Sequence, residues 1–181
     1  QSGLGCGIFN MEVMAKNWTE HKGYGIELEE RITMYNVHVT RFPKSNIFFH
    51  NDKTGRGPYQ SLLVNVTSSY SKEHGFLIGT GANALTLINC SGRWNGATEY
   101  GKAPTVAGNY HGLYSVHDRE GNPNGEFYQY TQEFLTLIGG DFSYNSGYGV
   151  NLESLRRSNI TIGYCEHNLT NDIRFGLSVS D

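Results

Sequence analysis

A short pattern recurs along this chain and limits what the chain can fold into. It consists of an apolar residue, a threonine, a second apolar residue and, three positions further on, a small or apolar residue. Four clear copies lie at 32–37 (ITMYNV), 85–90 (LTLINC), 135–140 (LTLIGG) and 160–165 (ITIGYC), with looser copies at 63–66 and 8–13. Such self-similarity is the signature of a protein built from stacked structural repeats.

Glycines introduce a second kind of repeat. Five of the 23 glycines, at positions 25, 75, 112, 149 and 176, each precede a short stretch of alternating apolar and other residues. Alternation with a period of two predicts a strand with one buried face. We expect the first apolar residue after each glycine to point inward. Its neighbours should then form one outward column, which contains Glu27, Leu77, Tyr114, Asn151 and Ser178.

The spacing of the copies favours a β-solenoid. From Leu63 to Leu85 is 22 residues and from Leu135 to Ile160 is 25, which suits one coil of two or three strands with turns. The longer intervals, of 31 and 50 residues, are read as coils with surface insertions near 51–59 and 92–130. Helical periodicity is absent. An immunoglobulin-like sandwich is the competing β fold, but it would not need the same threonine in each repeat.

The strand with an apolar residue, threonine, Asn and Cys, followed by an Asn-rich turn and a glycine-led strand, resembles the right-handed parallel β-helix of the pectate-lyase superfamily. The many aromatic residues, the long loops and a charged fraction of only 17% resemble, within it, bacteriophage tailspike and appendage proteins. The resemblance covers residues 8–181. It implies an all-β, right-handed, single-stranded parallel β-helix of about six coils with long loop insertions. Residues 1–181 would form one such domain, as a segment of a longer chain.

Acidic residues and a histidine supply the candidate catalytic groups. Hydrolysis of a polysaccharide needs an acid for the leaving oxygen and a carboxylate as base or nucleophile. Asp118, Asp141 and Glu153 are candidates, with His117 beside Asp118. We expect Tyr114, His117, Asp118 and Glu153 to cluster on neighbouring coils. Lyase chemistry would instead use a base and a cation, for which the candidates are His111, His117, Tyr114, Arg119 and Arg156.

Aromatic residues in the long insertion supply the candidate sugar-binding groups. An aromatic ring can stack on the apolar face of a pyranose while polar neighbours bind its hydroxyls. The candidates are Trp94, Glu99, Tyr100, His111 and Tyr114. The alternative is that Trp94 packs over the solenoid and anchors its own loop.

The composition limits the classes of partner that we expect this chain to bind. A net charge of −3 predicts no nucleic-acid partner, and the lack of an apolar run of 18 residues predicts no membrane insertion. No spacing predicts a metal site or a cofactor. The resemblance implies a homotrimer in a virion tail that contacts other tail proteins and binds, or also depolymerises, a bacterial surface glycan. The alternatives are a secreted microbial polysaccharide lyase or glycoside hydrolase, and a non-catalytic structural or adhesive β-helix.

Overall fold

The computed structural model describes residues 6–50, 57–79, 82–116, 132–153 and 155–176. The described residues form sixteen β-strands and no helix, so no helix among them could cross a membrane. The strands are β1 (Cys6–Met14), β2 (Ile26–Leu28), β3 (Ile32–Thr40), β4 (Ile47–Phe49), β5 (Leu62–Val64), β6 (Thr67–Ser69), β7 (Phe76–Ile78), β8 (Thr86–Ile88), β9 (Ser91–Arg93), β10 (Leu113–Ser115), β11 (Gln132–Glu133), β12 (Thr136–Ile138), β13 (Tyr148–Leu152), β14 (Leu155–Arg156), β15 (Asn159–Thr161) and β16 (Asn171–Phe175).

The strands stack in parallel as a β-solenoid of about six turns. A first face contains the N-terminal halves of β1 and β3, then β5, β8, β12 and β15. A second face contains the C-terminal halves of β1 and β3, then β6 and β9, and continues through bridges at Asp141 and Tyr164. The third face runs in the order β2, β4, β7, β10, β13, β16, and β11 pairs separately with β14. The predicted parallel β-solenoid is therefore confirmed.

Asparagines form the corner between the first and second faces. Asn10, Asn36, Asn65 and Asn89 have φ angles of 51°, 53°, 53° and 50°, in the left-handed region that asparagine adopts more readily than most residues. Each side-chain amide donates to the preceding asparagine oxygen, at 3.0 Å, 3.2 Å and 2.9 Å along the series. Gly139 takes the same corner one coil later, with φ 68°. This corner explains why three of the four clear copies of the repeat carry Asn or Gly at their fifth position.

Apolar columns fill the interior. Alternate residues of short strands point to opposite sides, so each coil contributes its inward residues to a shared core. The fully buried residues of the first-face and third-face columns are Met34, Leu63, Leu87, Leu137, Ile47, Phe76, Leu113 and Val150. The inward orientation predicted for Phe76, Leu113 and Val150 is confirmed, and so is the outward column from Glu27 through Leu77 and Tyr114 to Asn151.

The last coil differs from the prediction. Ile160 lies opposite Leu137, so the last copy of the repeat is shifted by two residues. The strand beside β13 is β16, with Ile173 opposite Val150, rather than a strand led by Gly176. The cause is the preceding corner, where the N–H of Leu169 donates to the Asn145 carbonyl at 2.9 Å and fixes the register before Asn171. Ser178, predicted in the outward column, lies outside the described residues.

The predicted insertions are only partly loops. The segment 92–130 contains the end of β9 and all of β10, and its described loop runs between them. Residues 117–130 of this segment, and 51–56 of the other, lie outside the described residues.

Candidate functional site

A cluster of polar and aromatic side chains lies on the last three coils of the third face. Tyr114 of β10 lies opposite Asn151 of β13, which lies opposite Arg174 of β16. Each is an outward residue of its strand, because the alternation that sends the flanking residues into the core sends these out. Glu153 directly follows β13 and is held by a hydrogen bond from its N–H to the Ser115 carbonyl at 3.1 Å. The solenoid register thus assembles four functional groups from three coils.

The centre of this cluster is a phenol, a carboxylate and a guanidinium. The Tyr114 hydroxyl donates a hydrogen bond to Glu153, and Nη1 of Arg174 lies 4.0 Å from Oε1 of Glu153. Burial, and then the negative charge of Glu153, raise the pKa of Tyr114 to about 12. The phenol therefore keeps its proton at physiological pH. It suits a hydrogen-bond or proton donor, whereas Glu153 suits an acceptor.

Two histidines lie beneath this surface, with exposures of 9% for His74 and 4% for His111. Nδ1 of His74 accepts a hydrogen bond from the His111 N–H at 3.0 Å, and Nδ1 of His111 accepts one from the Tyr148 N–H at 2.9 Å. A ring nitrogen that accepts carries no proton, so each neutral ring is protonated at Nε2. Burial lowers the pKa of His74 to about 3, with His111 as a second cause, and that of His111 to about 4, with Arg174 as a second cause. Both rings are therefore uncharged at neutral pH.

The Asn151 amide has an unmatched polar atom. The side chain lies 3.1 Å from Nε2 of His111, which is a donor in the tautomer above, so the amide must turn its oxygen toward that nitrogen. Of the two amide atoms, one then has no partner within the described residues, although Asn151 is only 2% exposed. A buried amide group without a partner is energetically costly. Because this atom is itself buried, the unmatched amide is a local cost of the fold rather than a contact offered to a ligand.

Aromatic rings border the same cluster. Tyr148 lies 5.3 Å from the His111 ring and 5.9 Å from the Arg174 guanidinium, and Tyr110 lies 5.4 Å from the His74 ring. Tyr110 is 41% exposed. The surface combines apolar ring area, a cation, an acceptor and donors, which is what recognition of a sugar ring with its hydroxyls requires.

The structure brings together two of the predicted catalytic residues and separates a third. Tyr114 and Glu153 lie in contact, as expected from their adjacent coils. Asp141 lies on the second face, where it pairs with Arg93 at 3.2 Å and accepts a hydrogen bond from the Ser143 hydroxyl at 2.5 Å. Asp141 and Glu153 therefore do not form a carboxylate pair. His117 and Asp118 lie outside the described residues.

His111 and Trp94 do not present the surfaces expected of sugar-binding residues. His111 is buried and orients Asn151 rather than facing solvent. Trp94 belongs to a stack of rings at the corner between the second and third faces, between Tyr70 at 5.0 Å and Tyr144 at 6.1 Å, with His167 4.9 Å beyond Tyr144. Both faces of the Trp94 ring are therefore covered by neighbouring rings. The stack matches the alternative in which Trp94 anchors the fold.

Glu99 and Tyr100 form part of a loop that reaches back to the first coil. The Tyr100 hydroxyl donates to the Ala15 carbonyl, and its ring meets Trp18 edge-on at 5.7 Å. Glu99 pairs with Lys102 on the exposed side of the loop. These contacts make the loop a strap along the solenoid, away from Glu153.

Several residues of the cluster were not predicted from the sequence. Arg174 was missed because the last strand was placed after Gly176, and His74 and Tyr148 were missed because their role depends on hydrogen bonds between coils. A usable signal was present: His74, His111 and Tyr148 each stand immediately before a glycine that leads a third-face strand. Among the described residues no group of three or more metal-ligating side chains occurs.

Comparison with known proteins identifies no relative, so the function of this chain is inferred from its fold and from this cluster. No protein-family model, no curated protein and no solved structure matches the chain.

Proposed function

We propose that this chain is the β-solenoid part of a phage tailspike or receptor-binding protein, and that it binds a bacterial surface polysaccharide on its third face. The observation that carries the proposal is the cluster of Tyr114, Glu153 and Arg174 on the last three coils of this face. The neighbouring rings of Tyr110 and Tyr148 add the apolar area that sugar rings need.

Binding is tested first. Biolayer interferometry against a panel of purified capsular polysaccharides and lipopolysaccharides would identify a ligand. Arg174→Gln should then weaken binding by about tenfold or more, since a hydrogen bond to a charged group contributes about 1.5–3 kcal/mol. The matched control is Arg31→Gln, an exposed arginine beside the first coils. Equal loss of affinity in both variants, or no binding to any glycan, would contradict the proposal.

Cleavage is proposed as an additional activity of the same cluster. Glu153 would take a proton from the water that bonds to the anomeric carbon, and the Tyr114 phenol would give its proton to the leaving oxygen as the glycosidic C–O bond breaks. Reducing-end release from the bound glycan measures cleavage, and an unsaturated product would indicate a lyase rather than a hydrolase. Glu153→Gln should abolish release while binding persists. Release that continues in this variant would contradict the role of Glu153, and no release by the wild-type chain would assign the chain a binding function alone.

The first face supports the proposed homotrimer. Its outward column runs through Phe9, Tyr35, Val64, Ile88 and Ile138, with exposures of 56%, 43% and 42% for Phe9, Tyr35 and Ile138. Neither this column nor the neighbouring outward column of the same face contains a charged residue. A second copy has the same coil rise of about 4.8 Å, so identical columns can interdigitate along the whole face.

Light scattering after size exclusion tests this assembly. The wild-type chain should elute as a trimer, and Ile138→Lys should shift it toward the monomer because the lysine charge would be buried. Val106→Lys is the control, since Val106 is 64% exposed in the strap loop. A monomeric wild-type chain would refute the trimer without bearing on glycan binding.

A further inference from the structure

A second constellation of chemically active side chains lies on the second face, at the opposite end from Glu153. Glu12 of β1 lies opposite His38 of β3, and Ser69 of β6 lies opposite Thr40, two residues beyond His38. Nε2 of His38 is 2.7 Å from the Ser69 hydroxyl oxygen, and Nδ1 of His38 is 3.3 Å from Oε1 of Glu12. A hydroxyl, an imidazole and a carboxylate are thus in line.

The carboxylate fixes the direction of the hydrogen bonds. An ionised Glu12 can only accept, so Nδ1 of His38 carries the proton that points toward it. Nε2 then presents its lone pair to Ser69, and the hydroxyl donates to it. The Ser69 hydroxyl has a second acceptor at 3.1 Å, Oγ1 of Thr40, but the imidazole is nearer and more basic. This is the arrangement in which a serine is activated as a nucleophile.

The protonation state of His38 fits the role of a base. Burial is the largest cause of its lowered pKa, the negative charge of Glu12 opposes the shift, and the positive charge of Arg41 reinforces it. His38 is therefore neutral at physiological pH and able to accept a proton.

Arg41 contributes a positive charge that acts on His38. It directly follows β3, and its Nε is buried without a hydrogen-bond partner among the described residues. The N–H of Tyr70, the residue after the serine, is occupied by the Arg93 carbonyl at 3.2 Å. The backbone N–H at that position is therefore not free for an oxyanion, and the positive charge that acts on His38 is that of Arg41.

We propose that Ser69, His38 and Glu12 form a serine-hydrolase triad that cleaves small carboxylic esters, such as acetyl esters. This activity is independent of the glycan cluster on the third face.

The reaction balances with water as the only co-reactant. The Ser69 oxygen bonds to the ester carbonyl carbon and its proton passes to Nε2 of His38. The bond from that carbon to the alcohol oxygen breaks, and His38 returns the proton to the alcohol. Water then attacks the acyl-serine, losing one proton to His38, and the Ser69 oxygen leaves with that proton. One ester and one water give one alcohol and one acid.

The low exposure of the serine limits the size of the acyl group. Ser69 is only 2% exposed and Thr40 is 3% exposed, whereas the His38 side chain is 41% exposed. Because so little of Ser69 is exposed, we limit the proposed substrates to esters with a small acyl group such as acetyl.

Covalent labelling of the wild-type chain is the first test. Methanesulfonyl fluoride, whose sulfonyl group is close in size to acetyl, should add one methylsulfonyl group, mapped to Ser69 by peptide mass spectrometry. Hydrolysis of p-nitrophenyl acetate should fall about a thousandfold in Ser69→Ala and persist in Ser91→Ala, a hydroxyl variant of the same face. Absence of labelling at Ser69 in the folded chain, or unchanged hydrolysis in Ser69→Ala, would overturn the proposal.

Glu12 is a positioning residue, so its test needs a spectroscopic signature. In the wild-type chain, nitrogen NMR shifts of His38 should report a proton on Nδ1. Glu12→Gln should lose the preference for this tautomer and lower the rate of acetate release, with the fold unchanged. An Nε2-protonated His38 in the wild-type chain would refute the triad, because that ring could not accept the Ser69 proton.

Discussion

Acidification should destabilise this chain through the buried pair of His74 and His111. In the folded state the pKa values of these rings are about 3 and about 4, against 6.5 for an unperturbed histidine. As pH falls below 6.5, the unfolded state binds protons that the folded state does not, so the free energy of unfolding decreases. The stabilising contribution is complete above pH 6.5 and is lost as the pH falls toward the folded values.

The size of the effect follows from the two shifts. Each ring costs about 1.4 kcal/mol per pH unit below 6.5 until its folded pKa is reached. At pH 5.0 this is about 2 kcal/mol for each ring and about 4 kcal/mol for the pair, relative to pH 7.5. The total is a large fraction of the 5–15 kcal/mol that stabilises a typical domain. The window above pH 5.0 also lies above the ordinary range of the carboxylates.

Urea unfolding at pH 7.5 and pH 5.0, followed by circular dichroism, measures this difference. The double variant His74→Asn/His111→Asn keeps an acceptor for the His111 and Tyr148 N–H groups but removes both titrating rings. Its loss of stability between the two pH values should be about 4 kcal/mol smaller than that of the wild-type chain. His21→Asn, at an exposed histidine, should leave the difference unchanged. An equal pH dependence in the double variant and the wild-type chain would refute the reasoning.

Four further predictions concern the scaffold. Asn145→Ala should lower the free energy of unfolding by about 3 kcal/mol or more, because four groups of neighbouring residues within 3.0 Å lose their hydrogen-bond partner. Asn65→Gly, which keeps the left-handed corner, should cost less than about 1 kcal/mol in the same urea assay. Trp94→Ala should lower the free energy of unfolding by about 3 kcal/mol and leave glycan affinity unchanged. A loss of glycan affinity without a loss of stability would instead show that Trp94 binds the glycan. Gly112→Ala should prevent or strongly destabilise folding, because a Cβ there would lie 2.6 Å from the Gly92 carbonyl oxygen and 2.7 Å from that of Gly149. Gly23→Ala, with open space around it, should be tolerated in the same thermal melt.

The amino-acid sequence determined the architecture because the signals for it are local. Alternation within three residues tells which side chains enter the core, and the recurrence of Asn or Gly marks the corner between the first and second faces. The contact of Tyr114 with Glu153 was also predictable, since it requires only that two glycine-led strands stack in adjacent coils.

Which residues become neighbours on adjacent coils depends on the strand register, and the loops between the strands differ in length. Only the tertiary structure could therefore show these contacts. Arg174 entered the third-face cluster because hydrogen bonds at the preceding corner, not the next glycine, fixed the start of β16. The faces of Trp94 were covered by partners 24 and 50 residues away. The register between coils also brought the side chains of Glu12, His38 and Ser69 into contact. In a solenoid each residue's neighbours lie one coil away, and the number of residues in that coil is set by packing rather than by any local pattern.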